Sequence, residues 1–136
     1  MDLSRLVYFS SATGPGDVGG ILTAAKLNNK RKQITGALWF DGNFFLQVLE
    51  GDRSTISETF QRISKDPRHK DIILVECKSI EDRQFSQWTM GYYADTHKNR
   101  AHILKYSNEN VFDPRFMTSE NLVRMMTDRE LVKLLA

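Results

Sequence analysis

Cysteine is nearly missing from this sequence: Cys77 is the single one among 136 residues. An internal disulfide is therefore excluded, and a cysteine-based zinc site lacks its ligands. Histidine is scarce too. With only His69, His97 and His102, catalysis that relies on several imidazoles is not expected. No apolar run approaches the roughly 18 residues that a bilayer span needs, and the opening MDLSRLVYF lacks the layout of a signal peptide. Charge of one sign is also absent. Nineteen Lys and Arg stand against seventeen Asp and Glu for a net charge of +2, with the signs mixed along the chain. That is not the clustered basic footprint of a nucleic-acid binder, so neither nucleic acid nor membrane is an expected partner. What is present, 40% hydrophobic and 10% aromatic residues, suffices for one domain with a real core in the cytoplasm.

Residues 3–10 (LSRLVYFS) read as a buried strand. A glycine-rich stretch follows, with Gly14, Gly16, Gly19 and Gly20 around Pro15, and then Ile21, Leu22, Ala24 and Ala25 fit a short helix that ends at Asn28 and Asn29. Residues 33–40 and 43–50 are strand-like and flank Asp41-Gly42, a strong hairpin signal. Thr55 and Glu58 have capping-box spacing, and Ile56, Phe60 and Ile63 recur with helical period, which predicts a helix over 55–65 stopped by Asp66-Pro67. Residues 71–77 and 86–94 complete the strands. The order predicts an α+β fold, a ferredoxin-like βαββαββ sandwich: a mixed five-stranded sheet with two helices on one face.

Residues 1–95 form that sheet domain, and 96–136 are expected to be a C-terminal helical extension on the other face. Its first part, 95–109, is polar; 118–136 reads as helical. There Thr127 and Glu130 repeat the capping-box spacing, and Leu122, Met125, Met126, Leu131, Leu134 and Leu135 supply apolar surface.

One tempting motif fails. Gly14-Pro15-Gly16-Asp17-Val18-Gly19 matches G-x-G-x-x-G, with Asp41 about 20 residues beyond it. A dinucleotide fold needs a crossover helix after its second strand, whereas Asp41-Gly42 folds that strand straight into a hairpin. The stretch reads better as a flexible entry loop.

More telling are polar side chains where a core should be. Alternation along FFLQVLEG puts Phe45, Gln47 and Leu49 on one face, and Leu46, Val48 and Glu50 on the other. Gln47 thus sits among apolar neighbours on a central strand, with two donors and two acceptor lone pairs to satisfy. Tyr8, near the end of the first strand, carries a phenol that needs a partner if buried. Asn28 and Asn29, read singly, serve as a helix C-cap. Arg68-His69 read singly as a solvated pair, and Trp88 and Met90 as core. Taken together, three amides and a phenol with no strong nucleophile suit a flat heteroaromatic ligand held between apolar walls. They suit acid–base hydrolysis poorly.

The strings LVYFSS, LNNKRKQITGALWFDGNFFLQVLEGDRSTI, RISKDPRHKDI and RQFSQWTMGY together resemble a BLUF domain, a flavin-using blue-light sensor, over residues 3 to about 94. The resemblance implies a stand-alone photoreceptor that holds FAD, with FMN or riboflavin as alternatives. It implies that Tyr8 donates an electron to the photoexcited flavin and that Gln47 acts as the hydrogen-bond switch. Asn29 and Asn28 would hold the ring edge, Ile21 would pack on the ring, and Arg68 would reach its far carbonyl side. His69 would lie near the ring or its side chain, while Trp88 and Met90 would couple Gln47 to the last strand. Output would pass through that strand and the C-terminal helices, with 117–135 as a docking surface for a light-dependent downstream protein; self-association is left open. The competing class is an enzyme, either an acylphosphatase-like hydrolase or a small flavin-dependent oxidoreductase. The first would need an arginine-bearing loop after the first strand, and residues 9–20 hold no Arg or Lys. A sensor, not an enzyme, is the expectation.

Overall fold

Asp41 and Gly42 reverse the chain as their chemistry suggests. Gly42 takes φ +94°, the left-handed region open to glycine, and Asp41 Oδ1 accepts from the backbone N–H groups of Asn43 and Phe44, both at 2.9 Å. This turn joins β2 (Thr35–Phe40) to β3 (Phe44–Asp52), and the rings of Phe40 and Phe45 stack beside it at 4.3 Å. The structure, a computed structural model, describes residues 1–14, 18–107 and 109–132. Before the hairpin come β1 (Leu3–Ala12) and α1 (Val18–Lys32), and after it α2 (Arg53–Ser64), β4 (His69–Ser79) and β5 (Gly91–Tyr93). Then come α3 (His97–Ile103), α4 (Ser119–Thr127) and α5 (Arg129–Val132).

The sheet runs β4-β1-β3-β2-β5, so β3 is its middle strand. Neighbours are antiparallel except β2 and β5, which run parallel. This is the mixed five-stranded α+β sheet expected from the sequence. Period-two alternation sorts its side chains into two cores. Leu6, Tyr8, Leu38, Phe45, Leu49 and Met90 face α1 and α2, where Ile21, Leu22, Ile56 and Phe60 pack on them. Val7, Phe9, Trp39, Leu46, Val48 and Tyr93 face the C-terminal helices and are covered by Ile103, Leu122, Met125, Met126 and Leu131. Each such side chain contributes roughly 1.5–3 kcal/mol by leaving water. The apolar side of α4 and α5 is therefore spent on the sheet and is not an open docking surface; Leu134 and Leu135 lie outside the described residues.

Several boundaries differ from the sequence expectation, each for a local reason. Helix α1 continues past Asn28 and Asn29 to Lys32, and Gln33, at φ +57°, makes the left-handed exit. The asparagines are thus interior residues and not the C-cap. Helix α2 begins two residues before Thr55: Asp52 is its N-cap residue, with a carboxylate that accepts from Ser54 Oγ at 2.7 Å instead of capping the helix. The last strand is three residues long, because 80–90 is a chain of turns in which Trp88 N–H donates to Phe85 O at 2.9 Å. The polar stretch after residue 95 contains α3, capped by Thr96, whose hydroxyl accepts from Asn99 N–H. Instead of a Thr127 capping box, Asp128 separates α4 from α5, with Oδ1 accepting from Glu130 N–H at 2.8 Å. Among the described residues no helix is long and apolar enough to cross a membrane.

Gly36 pairs with Leu49 where β2 lies tight against β3. A β-carbon there would run into the backbone carbonyl oxygen of Val48. Gly36→Ala should therefore push the two strands apart and destabilise the fold by about 3 kcal/mol or more. Urea unfolding of the variant beside the parent checks this; an unchanged midpoint would contradict the close approach.

Candidate functional site

The residues that the sequence marks as misplaced polar groups meet on one face of the sheet. Tyr8 and Gln47 are directly opposite each other on β1 and β3, and Leu38 lies opposite Gln47 on β2. Tyr8 is 3% and Gln47 4% exposed. At such depth an unmet amide or phenol costs roughly 1–3 kcal/mol, and each meets the other: Tyr8 Oη–H donates to Gln47 Oε1. The other end of the amide, Nε2–H, donates to Met90 Sδ at 3.4 Å. Gln47 thus links a strand-borne phenol to the residue immediately before β5. Burial, and then the nearby Asp66 carboxylate, push the Tyr8 phenol far up, so it is a neutral O–H donor at neutral pH.

Above this pair lies a cavity of about 280 Å³ between the sheet and the two helices. Ile21, Ala25, Leu38, Phe45 and Ile63 supply apolar wall. Polar groups line it too: Tyr8, Gln47, Asn28, Asn29, Arg68 and His69. Asn28 and Asn29 come from the interior of α1, and Asn29, buried, donates Nδ2–H to Thr89 O at 2.8 Å. That bond ties the helix to the turn before β5 and leaves the asparagine its carbonyl oxygen and second N–H. Arg68 is clasped to Asp66, with Nε to Oδ1 at 2.9 Å and Nη2 to Oδ2 at 2.5 Å, and these hydrogen bonds hold the Asp66 carboxyl below its usual range. His69 Nε2–H donates to Ile63 O at 2.7 Å, so its Nδ1 accepts from the Ser10 hydroxyl, also at 2.7 Å. With both nitrogens engaged, His69 offers the cavity its ring, which stands edge-on to Tyr8 and Phe45.

The structure therefore brings Tyr8, Ile21, Asn28, Asn29, Gln47, Arg68 and His69 to one cavity, with Met90 beneath Gln47. Trp88 is not among them. It is half-buried and packs with the core on the opposite face of the sheet, next to Phe85. Sequence reasoning did not single out Thr59, Arg62 and Asp66 of the lining, or Ser10 behind His69. Ser10 carried a usable signal, because it follows Tyr8 by two along β1 and so shares its face. Among the described residues no group of three or more His, Cys, Asp or Glu could hold a metal. A slot with apolar walls and several amide edges fits the isoalloxazine ring of a flavin, which presents carbonyl acceptors and an imide N–H along one side.

Comparison with known proteins agrees. The family model described as sensors of blue light using FAD, BLUF, matches residues 3–91. The photoactivated adenylate cyclase subunit beta of Euglena gracilis is 35% identical over 92 residues, 65% of this chain but only 11% of the cyclase subunit. The blue light- and temperature-regulated antirepressor BluF of Escherichia coli (strain K12) is 31% identical over 88 residues, 62% of this chain and 22% of BluF. This chain thus spans a small part of either relative. Among solved structures, the photo-activated state of BlsA superposes with a TM-score of 0.83 at 30% identity, covering 96% of this chain and 94% of BlsA.

All four tyrosines are pushed upward, Tyr8, Tyr92 and Tyr93 by burial above all, and Tyr106 up to about 12 by burial and its hydrogen bond to Asp128. A phenol raised on folding stabilises the native state fully below the unfolded value near 10, and that contribution is lost as pH rises through the folded values. Alkaline titration followed by tyrosinate absorbance should show at least two of the four, the buried Tyr8 and Tyr93, ionising only together with unfolding. All four ionising near pH ~10 in still-folded protein would contradict the burial.

Proposed function

The chain belongs to the BLUF family of blue-light sensors that use FAD, and on that premise we propose how its own residues carry out the photocycle. The protein is a flavin-binding photoreceptor; the acylphosphatase-like and small flavin-enzyme alternatives are not favoured. FAD, when bound, supplies the blue-light absorption and the oxidising equivalent. What the chain adds is a donor, a switch and a reader.

Tyr8 is the donor, and its phenolic proton already points at Gln47 Oε1. After the phenol gives up an electron, that proton has a hydrogen-bonded path through the amide. Gln47 is the switch. Its carbonyl accepts from Tyr8 while its N–H donates to Met90 Sδ. Rotation or tautomerisation of the amide exchanges a donor for an acceptor without creating a charge. Asn29, tied to Thr89 O, and Asn28 would hold the ring edge, Ile21 would pack on the ring, Arg68 would serve the far side, and His69 would close one wall. Met90 reads the amide directly, whereas Trp88 acts from the other core. The observation that carries this reading is one buried chain of contacts, Tyr8–Gln47–Met90, at the floor of an amide-lined cavity.

Residues 1–95 act as the sensor and 96–136 as its output element, and the chain signals as a cytoplasmic sensor, not an enzyme. A protein partner is the natural recipient, in keeping with the antirepressor role of the Escherichia coli relative. Since the apolar side of α4 and α5 is buried on the sheet, light would expose that side or reshape the outer one.

Purified protein loaded with FAD should be yellow and show a red shift of its absorption under blue light that reverses in the dark. Gln47→Leu should keep the flavin and lose the shift, and Tyr8→Phe should keep the flavin and lose the cycle. A normal cycle in either variant would remove that residue from its role, and protein that takes up no flavin would overturn the proposal.

A further inference from the structure

Glu50 is a carboxylate with no exposure at all, three residues from Gln47 on β3 and on the opposite face of the sheet. Nothing in the photocycle as described uses it. A buried carboxylate must be matched by donors or its burial is costly, and the donors here come chiefly from one short segment. Its Oε2 accepts from Gln84 N–H at 2.6 Å, and its Oε1 accepts from Phe85 N–H at 3.0 Å and from the Thr35 hydroxyl at 2.9 Å. Arg83 reinforces the grip through Nη1 to Thr35 Oγ1 at 2.8 Å and to Glu50 O at 3.1 Å, and through Nη2 to Gln33 O at 2.9 Å.

The clamped segment runs directly into the cavity floor. Phe85, fully buried, anchors in the core beneath the C-terminal helices, and its carbonyl accepts from Trp88 N–H. Trp88 O then accepts from Gly36 N–H at 3.0 Å, Thr89 O accepts from Asn29, and Met90 Sδ accepts from Gln47. Six residues, 85–90, thus carry the chain from one core to the other, held at the start by Glu50 and at the end by Asn29 and Gln47.

We infer that Glu50 is a positioning residue for the photocycle: through Gln84 and Phe85 it fixes the 85–90 segment, so that Met90 stands ready to draw the Gln47 amide back to its resting orientation. The inference rests on the reading of Gln47 as the switch. A held sulfur is a fixed partner for Nε2–H, and a loosened one is not. Weakening the clamp should slow dark recovery while leaving the light-driven change itself in place.

The test is dark recovery of the FAD-loaded 136-residue chain after a blue flash, in Glu50→Gln, Met90→Ala and the double variant. Glu50→Gln keeps the side chain's shape but turns one acceptor into a donor that faces N–H groups. It should retain the red shift and recover roughly three- to tenfold more slowly, the effect of losing one hydrogen bond. Met90→Ala should slow recovery too, and the double variant should be no slower than Met90→Ala alone, because both act through one contact. Recovery at the parent rate in Glu50→Gln, or slowing that multiplies in the double variant, would overturn the inference. Should Glu50→Gln fail to fold, Arg83→Gln loosens the same clamp and should slow recovery in the same sense; a parent rate there is the overturning result. No red shift in the parent protein would instead refute the photocycle, a distinct outcome.

Discussion

The buried hydrogen bond from Tyr8 to Gln47 organises the rest of this structure. It joins β1 to β3 in the middle of the sheet, at a depth where neither side chain can turn to water, so each must remain the other's partner. The amide has a second end, and among the described residues that end donates to a sulfur, Met90 Sδ. Such an arrangement is well satisfied on one side and more weakly on the other. Around it the chain supplies apolar walls from α1 and α2 and further amide edges from Asn28 and Asn29, a setting made for a flat, hydrogen-bonding ring.

The sheet also separates two tasks. Its cavity face holds the phenol, the amides and the imidazole ring; its other face holds a core of aromatic, aliphatic and methionine side chains closed by α4 and α5, with the Glu50 carboxylate at one edge. Alternate residues along each strand point away from one another, so side chains of the two faces do not touch through the strands. The turns at 80–90 connect the two cores: Phe85 and Trp88 belong to one and Met90 to the other. A second polar cluster, in which Tyr106 donates to Asp128 and His102 lies 3.4 Å from the same carboxylate, fastens α3 and the turn after it to the start of α5.

The order of elements and the two-faced sheet were readable in the residues, because alternation and turn chemistry are local. Asp41-Gly42 needs no tertiary help to reverse the chain, and FFLQVLEG displays its misplaced amide to anyone counting by twos. Local reading went wrong where partners are remote. Asn28 and Asn29 look like a helix end, yet the helix continues, since Asn29 finds Thr89 sixty residues away. Residues 86–94 alternate like a strand, yet most of them are turns pinned by Glu50 and Gly36. Thr96 announces α3 only by its cap, within a stretch too polar to suggest packing.

By itself, then, the sequence determined which side chains share a face, where the chain must turn, and that an amide and a phenol had to be satisfied inside a core; these follow from backbone periodicity and the cost of burying polar groups. Only the tertiary structure decided which partners satisfy them: that Tyr8 meets Gln47 across two strands, that the amide's other end rests on Met90, and that Trp88 falls on the far side of the sheet. Register between distant strands is set by the packing of the whole domain, and no window of sequence contains it.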